Sequence, residues 1–337
     1  MERAMHTIEQ PPFIDVRNLP GDRGTLAALD RACRDWGFFQ VTGHGIAQDL
    51  LDATHARMRE FFALPEADKR AVERTASNAW GYYDRELTKN VRDWKEIFDV
   101  GPSLCAGALA GNVPQWPAAL PAFRPTVEAF YAACERLAHR LVAAIGVNLG
   151  APAELLRDAF EPHHTSFLRL NHYPRCDDPA PADAPTMPAR GQLGIHHHTD
   201  AGALTVLLQD DQPGLQVCRD GRWYLLEPRR DALVVNIGDI VQVWSNDRYH
   251  AALHRVLASR NAARYSAPFF FNPASDAVYA PLPSTCRDQP AHYRPISWGD
   301  FRTARAAGDY ADCGEEIQIA HFRVDPFPAG LPSARGT

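Results

Sequence analysis

Residues 196–200 read HHHTD. Imidazole nitrogens and carboxylate oxygens are ligands for divalent transition metals. In an extended strand the side-chain period is two, so His198 shares a face with Asp200 and with His196, while His197 points the other way. The spacing leaves two ligand pairs open, His196 with His198 or His198 with Asp200, and both contain His198. A third ligand must come from elsewhere, and His254 in LHRVLA is the candidate. Two histidines and one carboxylate form the facial triad of non-haem Fe(II) oxygenases, with coordination positions left for a co-substrate and O2. A structural zinc site is closed by four protein ligands instead. Taken alone, HHHTD reads equally well as a surface histidine run beside a turn.

A second pair bears on chemistry. RYS (264–266) sets Arg264 and Ser266 on one strand face, where a guanidinium fork and a hydroxyl can together hold a carboxylate. Phe270 falls on the same face by period two and is a candidate to line a substrate cavity. Tyr82, Phe98 and Trp116 are further pocket candidates from the N-terminal half.

Those residues need elements to hold them. The first half reads helical: near 22–36, 47–63 and 123–148, apolar residues recur every three or four positions. FIDV and WGFFQV read as strands. From about 165 to 280 the texture becomes short β-rich runs, TSFLRLNHY, GALTVLLQ, GLQVCR, RWYLLE, ALVVNI, IVQVWS and RYSAPFFF, separated by Gly, Asp, Asn and Pro. Asp220–Gly221 is a hairpin turn. Many short strands of this kind imply a sandwich or barrel. WGDFRTARAAGDY returns to helix before a loose tail. The stretches 101–122 and 174–190, rich in Pro and Ala, read as irregular connections, the second placed to cover a site. The expected organisation is an N-terminal region (1–160), a core (161–280) and a C-terminal helix and tail (281–337), together one compact unit.

Composition narrows the partners. Lys plus Arg number 35 and Asp plus Glu 41, a formal net charge of −6 without any dense basic run, so neither nucleic acid nor an anionic membrane is expected. No apolar run reaches the roughly 20 residues that span a bilayer, and the N-terminus has no secretory h-region. Seven cysteines, an odd number with no CxxC, indicate a reduced, cytoplasmic protein.

With the motifs in order, the chain resembles the 2-oxoglutarate- and Fe(II)-dependent dioxygenases of the isopenicillin N synthase-like superfamily. GIHHHTDAGALTVLLQDDQPGLQV, RWYLLEPRRDALVVNIGDIVQVWSND, LHRV and RYSAPFFFNP follow the order of that family's C-terminal core. FIDV, RACRDWGFFQVTGHGI, MREFFALPEADKR, GYYDRE and DWKEIFDV resemble its N-terminal region. The resemblance covers about residues 11–275. It implies a mainly β fold with flanking α-helices, a distorted double-stranded β-helix or jelly roll. It assigns the iron ligands to His198, Asp200 and His254, and the far carboxylate of 2-oxoglutarate to Arg264 and Ser266. LRLNHYP matches the family's Asn-x-Tyr segment, which places Asn171 and Tyr173 near the co-substrate, with Arg169 on the same face. His44 in TGHGI matches a motif whose role is structural. Two departures stand out. The residue before the metal histidine is often not histidine in the family, and an acidic residue often stands where this chain has Leu253. His196 is left on the metal-facing side if the strand is regular, either as a contact for metal surroundings or substrate or simply as a polar residue at the barrel mouth.

The resemblance implies oxidation of a small organic metabolite, by hydroxylation, desaturation or cyclisation. 2-Oxoglutarate and O2 would be consumed and succinate and CO2 released, with ascorbate expected as a stimulant. Three rivals remain at this stage. One is an iron oxidase of the same superfamily that uses no 2-oxoglutarate, like aminocyclopropane carboxylate oxidase. Another is a binding module without catalysis. A metal hydrolase is the third, though no HExxH signature is present.

Overall fold

The computed structural model describes residues 9–103, 111–152, 156–161, 163–188, 190–308 and 314–324. Cys105 and Cys313 lie outside them, as do the last residues of the expected C-terminal helix stretch.

Sixteen strands are described: β1 (Phe13–Asp15), β2 (Phe38–Thr42), β3 (Gly81–Tyr83), β4 (Leu87–Thr88), β5 (Val91–Arg92), β6 (Glu96–Val100), β7 (Phe167–Tyr173), β8 (Leu193–His198), β9 (Leu204–Gln209), β10 (Leu215–Arg219), β11 (Arg222–Leu225), β12 (Leu233–Ile237), β13 (His254–Leu257), β14 (Arg264–Phe271), β15 (Val278–Tyr279) and β16 (Ile296–Ser297). The helices are α1 (Arg23–Asp35), α2 (Gln48–Phe62), α3 (Glu66–Arg70), α4 (Phe123–Asn148), α5 (Asp239–Trp244) and α6 (Trp298–Ala307).

Two sheets carry the architecture. The larger runs β1-β2-β12-β9-β14-β7-β6-β3, so strands from the N-terminal region extend the sheet on both sides of the core strands. The smaller runs β11-β10-β13-β8. Period two explains how the larger sheet is covered. Leu204, Val206 and Leu208 of β9, and Leu233, Val235 and Ile237 of β12, join the cluster that includes α1, α2 and α4. Leu207 and Val234, one residue out of phase, join Leu215, Val217 and Val256 of the smaller sheet. The larger sheet is thus packed on helices by one face and on the smaller sheet by the other, and β9 and β12 are buried throughout.

The long helix α4 buries Val127, Phe130, Cys134, Leu137, Leu141 and Ile145 against that sheet. It stops at Gly150, whose φ of 70° is open to glycine without a Cβ penalty. The hairpin β10–β11 turns at Asp220 and Gly221, with φ of 51° and 74°, the two positive values a type I′ turn requires.

One expected strand is not one. IVQVWS folds as α5, whose Ile240, Val241, Val243 and Trp244 are all buried. A short run buried all round shows no period that separates strand from helix. Tertiary contacts decide it: the Asp239 amide donates to the Asp200 carbonyl (2.8 Å) and the Ile240 amide to the Gly202 carbonyl (3.2 Å). The first turn of α5 thereby ties down the loop that carries Asp200. Gly238 is required there, because a Cβ would come 2.2 Å from the Gly202 carbonyl oxygen. No helix among the described residues is long and apolar enough to cross a membrane.

Candidate metal centre and co-substrate site

His198 ends β8, His254 begins β13, and the two are paired directly across these antiparallel strands. Their ring centroids are 4.2 Å apart. Asp200 lies two residues past the end of β8, and its Oδ1 is 3.6 Å from His198 Nε2 and 3.7 Å from His254 Nε2. One donor atom from each residue falls within 4.8 Å of the others.

The surrounding bonds orient these donors. His198 Nδ1 is 2.9 Å from the His196 carbonyl oxygen, and His254 Nδ1 is 3.1 Å from the Ala252 carbonyl oxygen. A carbonyl can only accept, so both Nδ1 atoms carry the proton and both Nε2 atoms keep their lone pairs. Asp200 Oδ2 accepts from Thr205 Oγ1 and from Asn236 Nδ2 (2.7 Å), which leaves Oδ1 for a ligand. Burial, followed by the neighbouring His254, lowers the pKa of His198. Burial pushes Asp200 upward, but His254, His198, Asn236 and Thr205 outweigh it and hold the carboxylate below its ordinary range. A neutral imidazole and an ionised carboxylate are the forms that bind a metal. Two nitrogens and one oxygen with lone pairs converging, and no proton between them, fit a facial-triad iron.

The second group stands on β7 and β14. Their register is unbroken: Arg264 faces Tyr173, Ser266 faces Asn171, and Phe270 faces Phe167. Ser266 Oγ is 3.3 Å from Asn171 Nδ2 and 3.5 Å from the Tyr173 hydroxyl. The Arg264 guanidinium lies over the Tyr173 ring, 5.1 Å from its centroid. Its Nε donates to the Gln212 carbonyl (3.2 Å) and Nη2 to Gln209 Oε1 (3.1 Å), while Nη1 is buried without a partner. Arg264 is 3% exposed and has no carboxylate in ion-pair range among the described residues. A buried guanidinium without an anion is costly. The spare Nη1 fits an incoming carboxylate such as that of 2-oxoglutarate.

Beside the metal donors lies a cavity of about 140 Å³, lined by His198 and Asp200 and by Asn171, Pro268 and Phe270 of the ladder. Arg264, Ser266 and Tyr173 stand farther along the same strands and do not line it.

Three expected pocket residues are placed elsewhere. Tyr82 and Phe98 are buried in the core, Phe98 with its ring 4.8 Å from Phe61 and 5.2 Å from Phe123. They sit on the helix-facing side of the sheet, because Asp99, one residue on, is the one that reaches the inward-facing Arg169. Trp116, beside Phe98 and Phe123, belongs to the same core. His196 is not on the metal-facing side. The pairing of β8 with β13 shifts between His254–His198 and Val256–Ile195, so three residues on β8 oppose two on β13. This bulge turns Ile195 and His198 both toward the cavity and sends His196 the other way. Its amide and Nδ1 each lie 3.0 Å from Asp93 Oδ1.

Sequence reasoning missed the charged lining. Glu86, Thr88 and Lys95 come from the segment around β4 and β5, and Arg302, Arg305 and Glu316 from the C-terminal part. Glu86 and Lys95 stand in GYYDRE and DWKEIFDV, which matched the family as motifs without giving these side chains a role, and Arg302 and Arg305 stand in WGDFRTARAAGDY, which read only as helix. His44 accepts from the Ile46 amide (3.1 Å) within a loop whose Gly43 and Gly45 have positive φ, in keeping with a structural role.

The fold and donor set define a class, and comparison with known proteins agrees. The family model of the 2OG-Fe(II) oxygenase superfamily matches residues 164–273, and that of the N-terminal region of the non-haem dioxygenase in morphine synthesis matches residues 11–119. Jasmonate-induced oxygenase 2 of Arabidopsis thaliana is 33% identical over 301 residues, covering 86% of this chain and 78% of that one. Gibberellin 2-beta-dioxygenase 6 of Oryza sativa subsp. japonica is 33% identical over 92% of this chain and 84% of its own. The crystal structure of JOX2 in complex with 2OG, Fe and JA superposes with a TM-score of 0.77 at 30% identity, over 94% of this chain and 89% of that one. Full-length Neurospora crassa T7H in complex with alpha-KG gives 0.76 at 28% identity, over 88% and 96%.

The chain belongs to the 2OG-Fe(II) oxygenase superfamily. It is a jelly-roll, non-haem dioxygenase that uses Fe(II) and 2-oxoglutarate to oxidise small organic molecules.

Proposed function

We propose that His198, Asp200 and His254 hold the Fe(II), and that Arg264 and Ser266, with Tyr173 and Asn171 beside them, receive the far carboxylate of 2-oxoglutarate. The observation that carries this is the pairing of two unmet needs: three converging lone-pair donors and one buried guanidinium nitrogen without an anion. Iron and co-substrate together supply O2 activation coupled to decarboxylation of 2-oxoglutarate to succinate and CO2. The protein's residues do the rest. The carbonyls of His196 and Ala252 hold the imidazoles in one tautomer, Thr205 and Asn236 fix the carboxylate, and Arg264 and Ser266 set the co-substrate's orientation by a charge-assisted bond and a hydroxyl. Phe270 and Ile195 give the otherwise charged cavity an apolar surface beside the metal donors. The net reaction we propose is hydroxylation, in which one oxygen atom of O2 enters the substrate and the other enters succinate. A reduced, cytoplasmic setting is supported by the cysteine usage, an odd number without CxxC.

The test is stoichiometric. Protein loaded anaerobically with Fe(II) and then given 2-oxoglutarate and O2 should form succinate, slowly even without substrate. Oxygen uptake that proceeds without 2-oxoglutarate would instead support the independent-oxidase reading.

A further inference from the structure

The cavity has four cations in its lining, Lys95, Arg169, Arg302 and Arg305. Three have polar partners. Lys95 Nζ lies 2.7 Å from Glu86 and 3.0 Å from Asp93. Arg169 bridges Glu86 (2.7 Å) and Asp99 (2.8 Å). Arg305 spends its donors on the Ile317 carbonyl (2.9 Å), Gln318 Oε1 (2.8 Å) and the Thr199 carbonyl (3.0 Å). The acids are matched as well, Glu86 by Lys95 and Arg169, and Glu316 by Lys89 at 3.0 Å.

Arg302 is the exception. It stands half-buried on α6 and makes no hydrogen bond or ion pair among the described residues. Its guanidinium lies over the Phe167 ring, 5.5 Å from the centroid. Phe167 in turn stacks on Phe270, with centroids 4.7 Å apart and ring planes 25° apart. A cation–π contact to a ring face uses no N–H group, so the guanidinium keeps its donors for a planar oxyanion. So the lining presents one guanidinium with no polar partner among the described residues, in a cavity that also exposes the apolar Phe270, Ile195 and Pro268.

We propose that Arg302 binds a carboxylate of the substrate, so that this enzyme acts on a small carboxylic acid whose apolar body lies on Phe270. The proposal rests on the reading of the metal and co-substrate site given above. A monoanion is the charge one free guanidinium matches. A dianionic phosphate would leave a second negative charge facing Glu86 and Glu316.

Binding decides it. Wild-type protein loaded with Fe(II) and 2-oxoglutarate under anaerobic conditions is titrated calorimetrically with a series of arylalkanoic acids, phenylacetate to 5-phenylpentanoate, with their methyl esters and with 2-phenylethyl phosphate. At least one acid should bind, and its ester and the phosphate should bind at least about tenfold more weakly, as loss of a charge-assisted bond implies. Arg302→Gln should weaken that acid by about tenfold or more without changing ester binding, and Arg302→Lys should restore part of the loss. An ester that binds as well as its acid, a phosphate that binds more tightly, an acid indifferent to Arg302→Gln, or a series in which no acid binds would each overturn the assignment. Thermal melts establish that the variants fold. Succinate formation by the wild type without added substrate reports on the reaction separately, so its absence would remove the co-substrate reading while the titration still judges Arg302.

Discussion

The two strand pairs that build the site differ in regularity. β7 and β14 keep one register from Phe167–Phe270 to Tyr173–Arg264, and every second residue on both strands faces inward. β8 and β13 are interrupted by a bulge between Ile195 and His198. The regular pair forms a straight rail, suited to a molecule lying along it, with Arg264 and Ser266 at one end and Phe270 at the other. The bulged pair re-aims a single side chain, so that His198 comes opposite His254 just as the chain leaves the strand for Asp200. A long ligand needs periodicity, and a point ligand needs a local break in it.

The largest expected effect lies at the break. Asp200→Ala removes the one anionic donor and frees Thr205 and Asn236 from their acceptor. Iron content after anaerobic loading should fall to background, and 2-oxoglutarate-dependent succinate formation should be lost. A variant that retains full iron and turnover would take Asp200 out of the site. The rail should answer differently. Arg264→Ala leaves the three metal donors untouched, so iron should still bind. The 2-oxoglutarate concentration giving half-maximal succinate formation should rise by about ten- to a hundredfold, the scale of one buried charge-assisted bond. An unchanged half-saturation would move the carboxylate site elsewhere and leave the orphan Nη1 of Arg264 unexplained.

The same contrast governs what could be read from the sequence. On the rail, alternation placed Arg264, Ser266 and Phe270 on one face and the family resemblance added Asn171 and Tyr173; the unbroken register sets these two opposite Ser266 and Arg264, because nothing disturbs the period. At the bulge it put His196 on the wrong side, since one extra residue inverts every face beyond it. The helices α1, α2 and α4 were legible from their apolar stripes. The helix α5 was not, because a run buried on all sides has no stripe. Tyr82 and Phe98 were placed by type rather than by phase; Phe98 alternates with Asp99, and only Asp99 turns inward. The charged lining from Glu86 to Lys95 and from Arg302 to Glu316 is assembled by tertiary contact; GYYDRE, DWKEIFDV and WGDFRTARAAGDY mark the segments but not which of their side chains meet in the cavity.

Gly194 sits where the two regions meet. A Cβ there would stand 2.8 Å from Tyr173 Cδ1 and 3.1 Å from Val256 Cγ1. Gly194→Ala should therefore push Tyr173 along the rail without touching a metal donor. Overpacking of this kind costs about 1–3 kcal/mol, visible as a lower melting temperature. The 2-oxoglutarate half-saturation should also rise a few-fold, less than for Arg264→Ala, while iron binding stays the same. A shift in iron affinity with unchanged 2-oxoglutarate saturation would mean that the bulge, not the rail, feels the added methyl group.

The smallest functional effect is expected from His196→Ala. His196 is 3% exposed, and its ring bonds to Asp93, which is also held by Lys95 (3.0 Å) and Thr88 (2.7 Å). Removing the imidazole takes one bond from a carboxylate that keeps its others, a loss of about 1–2 kcal/mol of stability. The His196 carbonyl that orients His198 belongs to the backbone and survives the substitution. Denaturant unfolding should register the loss, while iron affinity and 2-oxoglutarate saturation match the wild type. Weakened iron binding in a variant of otherwise normal stability would place the imidazole at the metal, as strict alternation would have it, and the bulge would then be absent in solution.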